Sequence, residues 1–309
     1  MTQTLPQIAR TIAQAFTRPV RSSQPKTPLD YGMAFEQVGF PALDGLALSG
    51  WLIPAPAGTA EPRLVVMNHP LYCNKYGYVP SGPIGDLVPV HVEFLKTARH
   101  LHDAGYTVLS YDLRNHGDSA DSPHGTSGIG AFEWQDAAGA MTFIASRPDL
   151  ARLPVALVNH CMGANAAIRA MSLAPDLFAQ VRALVAVQPI SMRYMAEKMI
   201  PLFGGGSDLA EIDAALTAEA GLKLADMSPM AFLRDLRVPV LYAQVREDVL
   251  TSPEDVQAMH DQTPTRSELL WIEGPLNRFD GYNHFGIHPE RMLAFLAASM
   301  TRQAERQSI

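Results

Sequence analysis

The chain has 309 residues, of which 47% are hydrophobic and 18% charged, an ordinary balance for a soluble globular protein with a large core. Twenty-four Lys and Arg against 31 Asp and Glu leave a net charge of −7, with no basic cluster to serve as a nucleic-acid footprint. No apolar run approaches the ~18 residues of a membrane span, so neither nucleic acid nor a membrane is expected as a partner.

The N-terminal segment lacks the apolar stretch of a secretory signal. Its first acid is Asp30, preceded by Arg10, Arg18, Arg21 and Lys26, which is a weak likeness to a transit peptide. The stronger reading is a surface helix over "LPQIARTIAQAF", with Ile8, Ile12 and Phe16 on one face. Only two cysteines are present, Cys73 and Cys161. They are too few for a disulfide framework and fit a reducing, cytoplasmic compartment.

"MAFEQVGF" and "LALSGWLI" read as an opening antiparallel pair with the turn signal Asp44-Gly45 between them. "RLVVMN" is a short buried strand. "VEFLKTARHLHDAG" is a helix stopped at Gly105, with His100 and His102 on its surface, and "YTVLSYD" is the next strand. "GAFEWQDAAGAMTFIAS" is a helix that ends before Pro148. "LPVALVN" and "MGANAAIRAMSLA" are a strand and its following helix. "VRALVAVQPI", "VPVLYAQV" and "SELLWIEG" are further strands, and "PERMLAFLAASMTRQAE" is a closing helix with Pro289 near its first turn. Strands that alternate with helices predict a mostly parallel sheet covered on both faces.

Two segments break the rhythm. "HPLYCNKYGYVPSGPIGDLV", 69–88, is a long Gly/Pro/Tyr-rich loop, and such loops are usually functional or disordered. Residues 191–236 lie between two strands and carry helical patterns of their own, which predicts an inserted cap. The domain plan is therefore an N-terminal extension over 1–30, a core over 31–190 and 237–309, and the cap. Within the cap, "FGGGS" reads as a flexible linker.

The chemistry gathers around "VALVNHCMGANAA". An apolar strand stops at Asn159-His160, a cysteine follows, and small residues continue as a helix. Asn159-His160-Cys161-Met162-Gly163 resembles the nucleophile elbow G-x-S-x-G, in which a strained turn exposes the nucleophile and small neighbours let strand and helix approach. Three further stretches share the pattern. "YDLRNHGDS" resembles the D-x-R-G-x-G-x-S turn of the same proteins and reads as structural, although Asp112 and His116 titrate. "AQVREDVLTSPED" resembles the turn that carries the acid of a triad, and "GYNHFGIHPERMLAFL" the segment before the last helix that carries its histidine. Over about residues 31–300 the chain resembles the α/β-hydrolase superfamily, with cysteine in the serine position as in dienelactone hydrolases, polyester synthases and some cyclising enzymes of that fold.

The resemblance implies an α/β-hydrolase fold and a triad of Cys161, His284 and Asp248, with Glu247 the weaker choice of acid. Cys161 attacks as thiolate at a helix N-terminus. His284 takes and returns the proton, and Asp248 orients the imidazole. The oxyanion donors it implies are the backbone N–H groups of Met162 and Leu71, the latter in "NHPLY". Tyr72 and His160 are candidate substrate contacts. Asn159 and Pro70 depart from the pattern, each standing where a glycine is usual.

Other signals leave alternatives open. Cys73 is either a packed core residue or a redox-sensitive neighbour of Cys161. Tyr72, Tyr76 and Tyr78 either line an acyl or aromatic pocket or cover the sheet edge. His284 and His288 have an H-x-x-x-H spacing, but Gly286 and Pro289 argue against the continuous helix a metal pair needs, so no metal site is expected. Three functions fit: a hydrolase of an ester, lactone or thioester; an acyltransferase or cyclase with a non-water acceptor; and a small-ligand-binding member without catalysis. A complete triad speaks for the first two and needs no metal or organic cofactor. The expected partner is a small-molecule acyl substrate.

Overall fold

A computed structural model describes residues 5–202, 205, 207–275 and 277–301. Eight strands form one sheet: β1 (Glu36–Pro41), β2 (Ala47–Ile53), β3 (Arg63–Asn68), β4 (Tyr106–Tyr111), β5 (Val155–His160), β6 (Val181–Val187), β7 (Val240–Val245) and β8 (Ser267–Ile272). Their spatial order is β1-β2-β4-β3-β5-β6-β7-β8. β2 runs antiparallel to β1 and β4, and every other pairing is parallel. This is the α/β-hydrolase fold expected from the sequence, with helices on both faces of the sheet. Every residue of β4, β5 and β7 is buried, as covered faces require.

The main helices are α1 (Leu5–Thr17), α2 (Phe94–Asp103), α3 (Trp134–Ser146), α4 (Met162–Leu173), α5 (Met192–Leu202), α6 (Leu209–Ala220), α7 (Pro253–Gln262) and α8 (Glu290–Thr301). The parallel register brings Asn68 level with Asn159 and His160 level with Val187. The carboxyl ends of β3, β5, β6 and β7 thus share one edge of the sheet, where ligand sites of open α/β sheets lie.

Two of the irregular segments sit over that edge. Between β6 and β7 the 191–236 insertion holds α5, α6 and a short turn at Met230–Asp235. Helix α6 starts on a capping box, in which Asp208 accepts the Glu211 N–H at 2.8 Å. Helix α1 packs on α6, and Arg18 pairs with Glu219. The apolar face expected of α1 is present and packs inward: Ile8, Ile12 and Phe16 are buried.

The 69–88 loop is more ordered than its composition implies. Gly77–Tyr78 pairs antiparallel with Val92–Glu93. Asn74 donates to the Ser22 carbonyl at 2.8 Å and accepts the N–H groups of Tyr76 and Gly77. Part of the Phe203–Ser207 stretch and the last residues expected in the closing helix lie outside the described residues. Among the described residues, no helix is long and apolar enough to cross a membrane.

Candidate active site

Cys161 sits between β5 and α4 with φ 47° and ψ −112°. A non-glycine residue in the left-handed region is strained, and such strain gathers at functional sites. The backbone around it is fixed on both sides: its N–H donates to the Val187 carbonyl at 2.8 Å, and its carbonyl accepts the Asn165 N–H at 2.9 Å. The helix that follows runs against β3. A Cβ on Gly163 would fall 2.5 Å from the Asn68 Cβ, so only glycine permits this approach. Asn159, in the other glycine position, keeps its Cβ because its side chain bridges strands, accepting the Asn68 N–H at 3.1 Å.

Asp248 is buried and Glu247 exposed. The Asp248 carboxylate accepts the Leu250 N–H at 3.0 Å and the Thr251 hydroxyl at 2.7 Å. Its third partner is the Arg278 guanidinium at 3.3 Å. Arg278 is only 2% exposed. It also donates to the Gln188 carbonyl and the Tyr282 hydroxyl, both at 2.8 Å. The Tyr282 hydroxyl in turn interacts with the Cys161 thiol. Burial works against the Arg278 charge, but Tyr282, Cys161 and Asp248 outweigh it and its pKa rises. Burial pushes the Tyr282 phenol well up, with Arg278 opposing and Cys161 adding to the rise.

The structure does not bring His284 into this cluster. Tyr282 ends one helical turn, Arg278–Tyr282, and His284 begins the next, His284–Ile287. Two residues along a helical path turn a side chain by roughly 200°, so His284 and Tyr282 do not share a face. That turn packs on α2, and His100 bonds the Gly286 carbonyl at 3.2 Å. The ring of His284 lies 5.4 Å from that of His288, and burial, then His288, lower its pKa. Among the described residues no three His, Cys, Asp or Glu side chains gather as a metal site would need.

The oxyanion and substrate residues divide. Met162 is the first residue of α4, where an N–H has no intrahelical acceptor. The Pro70 carbonyl accepts the Cys73 N–H at 3.2 Å, closing a turn around Leu71. Tyr72, at φ 67°, turns its hydroxyl to the Ala15 carbonyl of α1. Tyr76 and Tyr78 likewise spend theirs locally, on His91 at 2.8 Å and the Val88 carbonyl at 3.3 Å. Cys73 is buried and free; burial, then Cys161, push its thiol up.

His160 is 1% exposed, with Nδ1 on the Asn68 carbonyl at 3.2 Å and Nε2 without a partner among the described residues. Its ring packs on Phe94 at 4.5 Å and faces Tyr282 at 6.1 Å. Burial pushes its pKa down to about 4, with the Asn68 bond opposing. The folded protein holds it neutral, while the unfolded chain protonates it near 6.5. Its contribution to stability is therefore complete above about pH 6.5 and declines as pH falls from there toward 4, by up to about 3 kcal/mol. His160→Gln should flatten the pH dependence of urea unfolding in that window. A slope unchanged by the substitution would refute the assignment.

Arg278 and Tyr282 were not legible as site residues from the motif match. A signal for them exists in "NRFDGYNHF": they stand four apart, hence on one face of a helical turn, and Arg278 is the only cation between β8 and His284.

The chain matches the family model described as "Alpha/beta hydrolase family" over residues 77–296, well over half its length. It is 24% identical to the polyketide transferase af380 of Aspergillus fumigatus over 84% of this chain and 97% of that protein. It is 30% identical to the thiohydrolase apmlB of Arthrinium phaeospermum, over 52% of this chain and 45% of that one. In fold it is similar to the esterase Pf2001 of Pyrococcus furiosus, with a TM-score of 0.67, 17% identity and coverage of 93% of this chain and 98% of that one. With the elbow at Cys161, the strand order and the family match in agreement, the chain belongs to the alpha/beta hydrolase family.

Proposed function

We propose that the protein is an acyl hydrolase that cleaves a carboxylic ester, lactone or thioester through a covalent acyl thioester on Cys161. The observation that carries this reading is the position of Cys161: a strained turn at the start of α4, with a buried guanidinium in its surroundings. Negative charge that develops on its sulfur as the S–H proton leaves faces the Arg278 charge and the N-terminal end of the helix dipole. Its sulfur attacks the carbonyl carbon, and the N–H groups of Met162 and Leu71 receive the oxyanion. Collapse expels the leaving alcohol or thiol with a proton. Water then attacks the thioester, the C–S bond breaks, and the acid leaves as Cys161 regains its proton.

A second reading is transfer of the acyl group to an amine, alcohol or carbon nucleophile. It is favoured by the similarity to a polyketide transferase along nearly that protein's whole length, and by the chemistry of thioesters, which yield to such nucleophiles more readily than oxygen esters do.

The test is intact-mass analysis after mixing with a panel of activated esters and acyl thioesters. The expected result is one acyl adduct, on Cys161, that decays to free acid. An adduct that persists in water and is discharged only by an added acceptor assigns transfer instead. No adduct and no product from any donor overturns the reading.

A further inference from the structure

The cluster around Cys161 has an acid and a nucleophile, but the group between them is not an imidazole. From Asp248 the contacts run to Arg278 at 3.3 Å, from Arg278 to the Tyr282 hydroxyl at 2.8 Å, and from that hydroxyl to Cys161. Arg278 has a further anchor in the Gln188 carbonyl at 2.8 Å, on a residue itself held at φ 50°. The Gln188 side chain returns the contact, donating to the Arg278 carbonyl at 2.6 Å. Tyr282 is clamped by Phe279, with ring centroids 5.3 Å apart. All of these groups are buried, which makes each electrostatic contact stronger than it would be in water.

We propose that Tyr282 is the residue that exchanges the proton of Cys161, and that Arg278, oriented by Asp248 and the Gln188 carbonyl, is the residue that positions it. The proposal rests on the acyl-cysteine reading for its reaction, but the contacts stand without it. A phenol can pass a proton without holding a charge. In acylation the Cys161 proton moves to the Tyr282 oxygen as the phenolic proton moves to the leaving group; the S–H and carbonyl–leaving-group bonds break, and the C–S bond forms. In deacylation water gives its proton to the Tyr282 oxygen as the phenolic proton returns to sulfur. Arg278 keeps its charge throughout, donates to the same oxygen, and supplies the cation opposite any negative charge on sulfur or phenol. That arrangement suits a thiol, which is acidic enough to dispense with a strong base. It makes the carboxylate a holder of Arg278 rather than of an imidazole.

The experiment compares the wild type with Tyr282→Phe, Arg278→Gln and His284→Ala. Two rates are read in each protein: alkylation of Cys161 by iodoacetamide across a pH series, located by peptide mass, and single-turnover acylation by an activated ester. Tyr282→Phe removes one hydroxyl and should slow acylation by about 10²-fold, the usual reach of a proton-transfer group, with its alkylation profile displaced toward higher pH. Arg278→Gln should displace the profile further in the same direction. His284→Ala should leave both rates within about twofold. Replacement of Tyr282 by 3-fluorotyrosine, a more acidic phenol of nearly the same shape, should displace the profile toward lower pH and keeps the question open to decision if Tyr282→Phe unfolds. Coincident profiles in the wild type and the Tyr282 variants, or a large loss in His284→Ala, overturn the proposal. Alkylation profiles that move as expected while no donor acylates any of the proteins would sink the acyl reading and leave the contact between Tyr282 and Cys161 standing.

Discussion

Cys161→Ala should abolish the acyl adduct and lower turnover by roughly 10³-fold or more, the scale expected when a covalent nucleophile is removed. The fold should survive. Alanine keeps the Cβ that the elbow already accommodates at φ 47°, and the bonds that fix the turn, to Val187 and Asn165, are main-chain. A thermal midpoint within a few degrees of wild type would confirm that only the sulfur was lost. Cys161→Ser then separates two mechanisms. A serine hydroxyl must give up its proton to a base before it attacks, and an imidazole beside it would serve. The groups that interact with Cys161 here include a protonated phenol and a guanidinium, and the Asp248 carboxylate is already engaged by that guanidinium. Cys161→Ser should therefore be nearly as inactive as Cys161→Ala, as judged by single-turnover acylation. A serine variant with more than about a hundredth of the wild-type rate would place a working base in the site and return the role to a histidine.

Much of this architecture could be read in the chain. Apolar runs such as "LVVMN" and "VALVN", bounded by turn residues, gave the strands; the length of 191–236 gave the insertion. The elbow was readable because its residues are consecutive, so Cys161, Met162 and Gly163 fix one another's places. Asp248 was readable because it follows a strand directly. The expected third member, His284, has its ring contacts with Phe285 and His288, and the reason is geometric. Between β8 and α8 the chain makes two short helical turns, joined at Asn283. Which of Arg278, Tyr282 and His284 points at Cys161 depends on rotation about an axis that a pattern match does not measure. The contact of the Tyr72 hydroxyl was illegible for another reason: its partner is the main-chain carbonyl of Ala15, 57 residues away, and a carbonyl carries no residue code. Lys75 was hidden in the same way. In a Gly- and Tyr-rich loop a lysine reads as solvent-facing, and its partners become visible only once the chain is folded.

Asp112→Asn should destabilise the protein by about 3–5 kcal/mol, the usual result of breaking a buried ion pair from one side. Lys75 is 1% exposed. Its ammonium meets Asp112 at 2.6 Å and Asp118 at 2.7 Å, and stands 4.8 Å from the centre of the Trp51 ring. Asp112 does more than neutralise it. The same carboxylate accepts the Lys75 N–H at 2.7 Å and the Asp118 N–H at 2.8 Å. It fills its space so closely that a Cβ on Gly117, at φ +48°, would fall 2.2 Å from it. Burial raises its pKa while Lys75 opposes the rise. The asparagine keeps one acceptor oxygen and loses the charge, which leaves the ammonium with Asp118 alone, itself largely open to solvent. Lys75→Met should be comparably damaging, since it strands the carboxylate. The double variant should lose less than the sum of the two by at least about 2 kcal/mol, because neither charge then remains to be desolvated. The consequence reaches the site. Lys75 lies two residues beyond Cys73, in the loop that carries Leu71 and Tyr72, so loss of its anchor should also slow acylation of Cys161 at temperatures where the variant is still folded. Urea unfolding of the four proteins supplies the cycle. Additive losses, or an Asp112→Asn protein as stable as wild type, would show that the ion pair does not hold this loop in place.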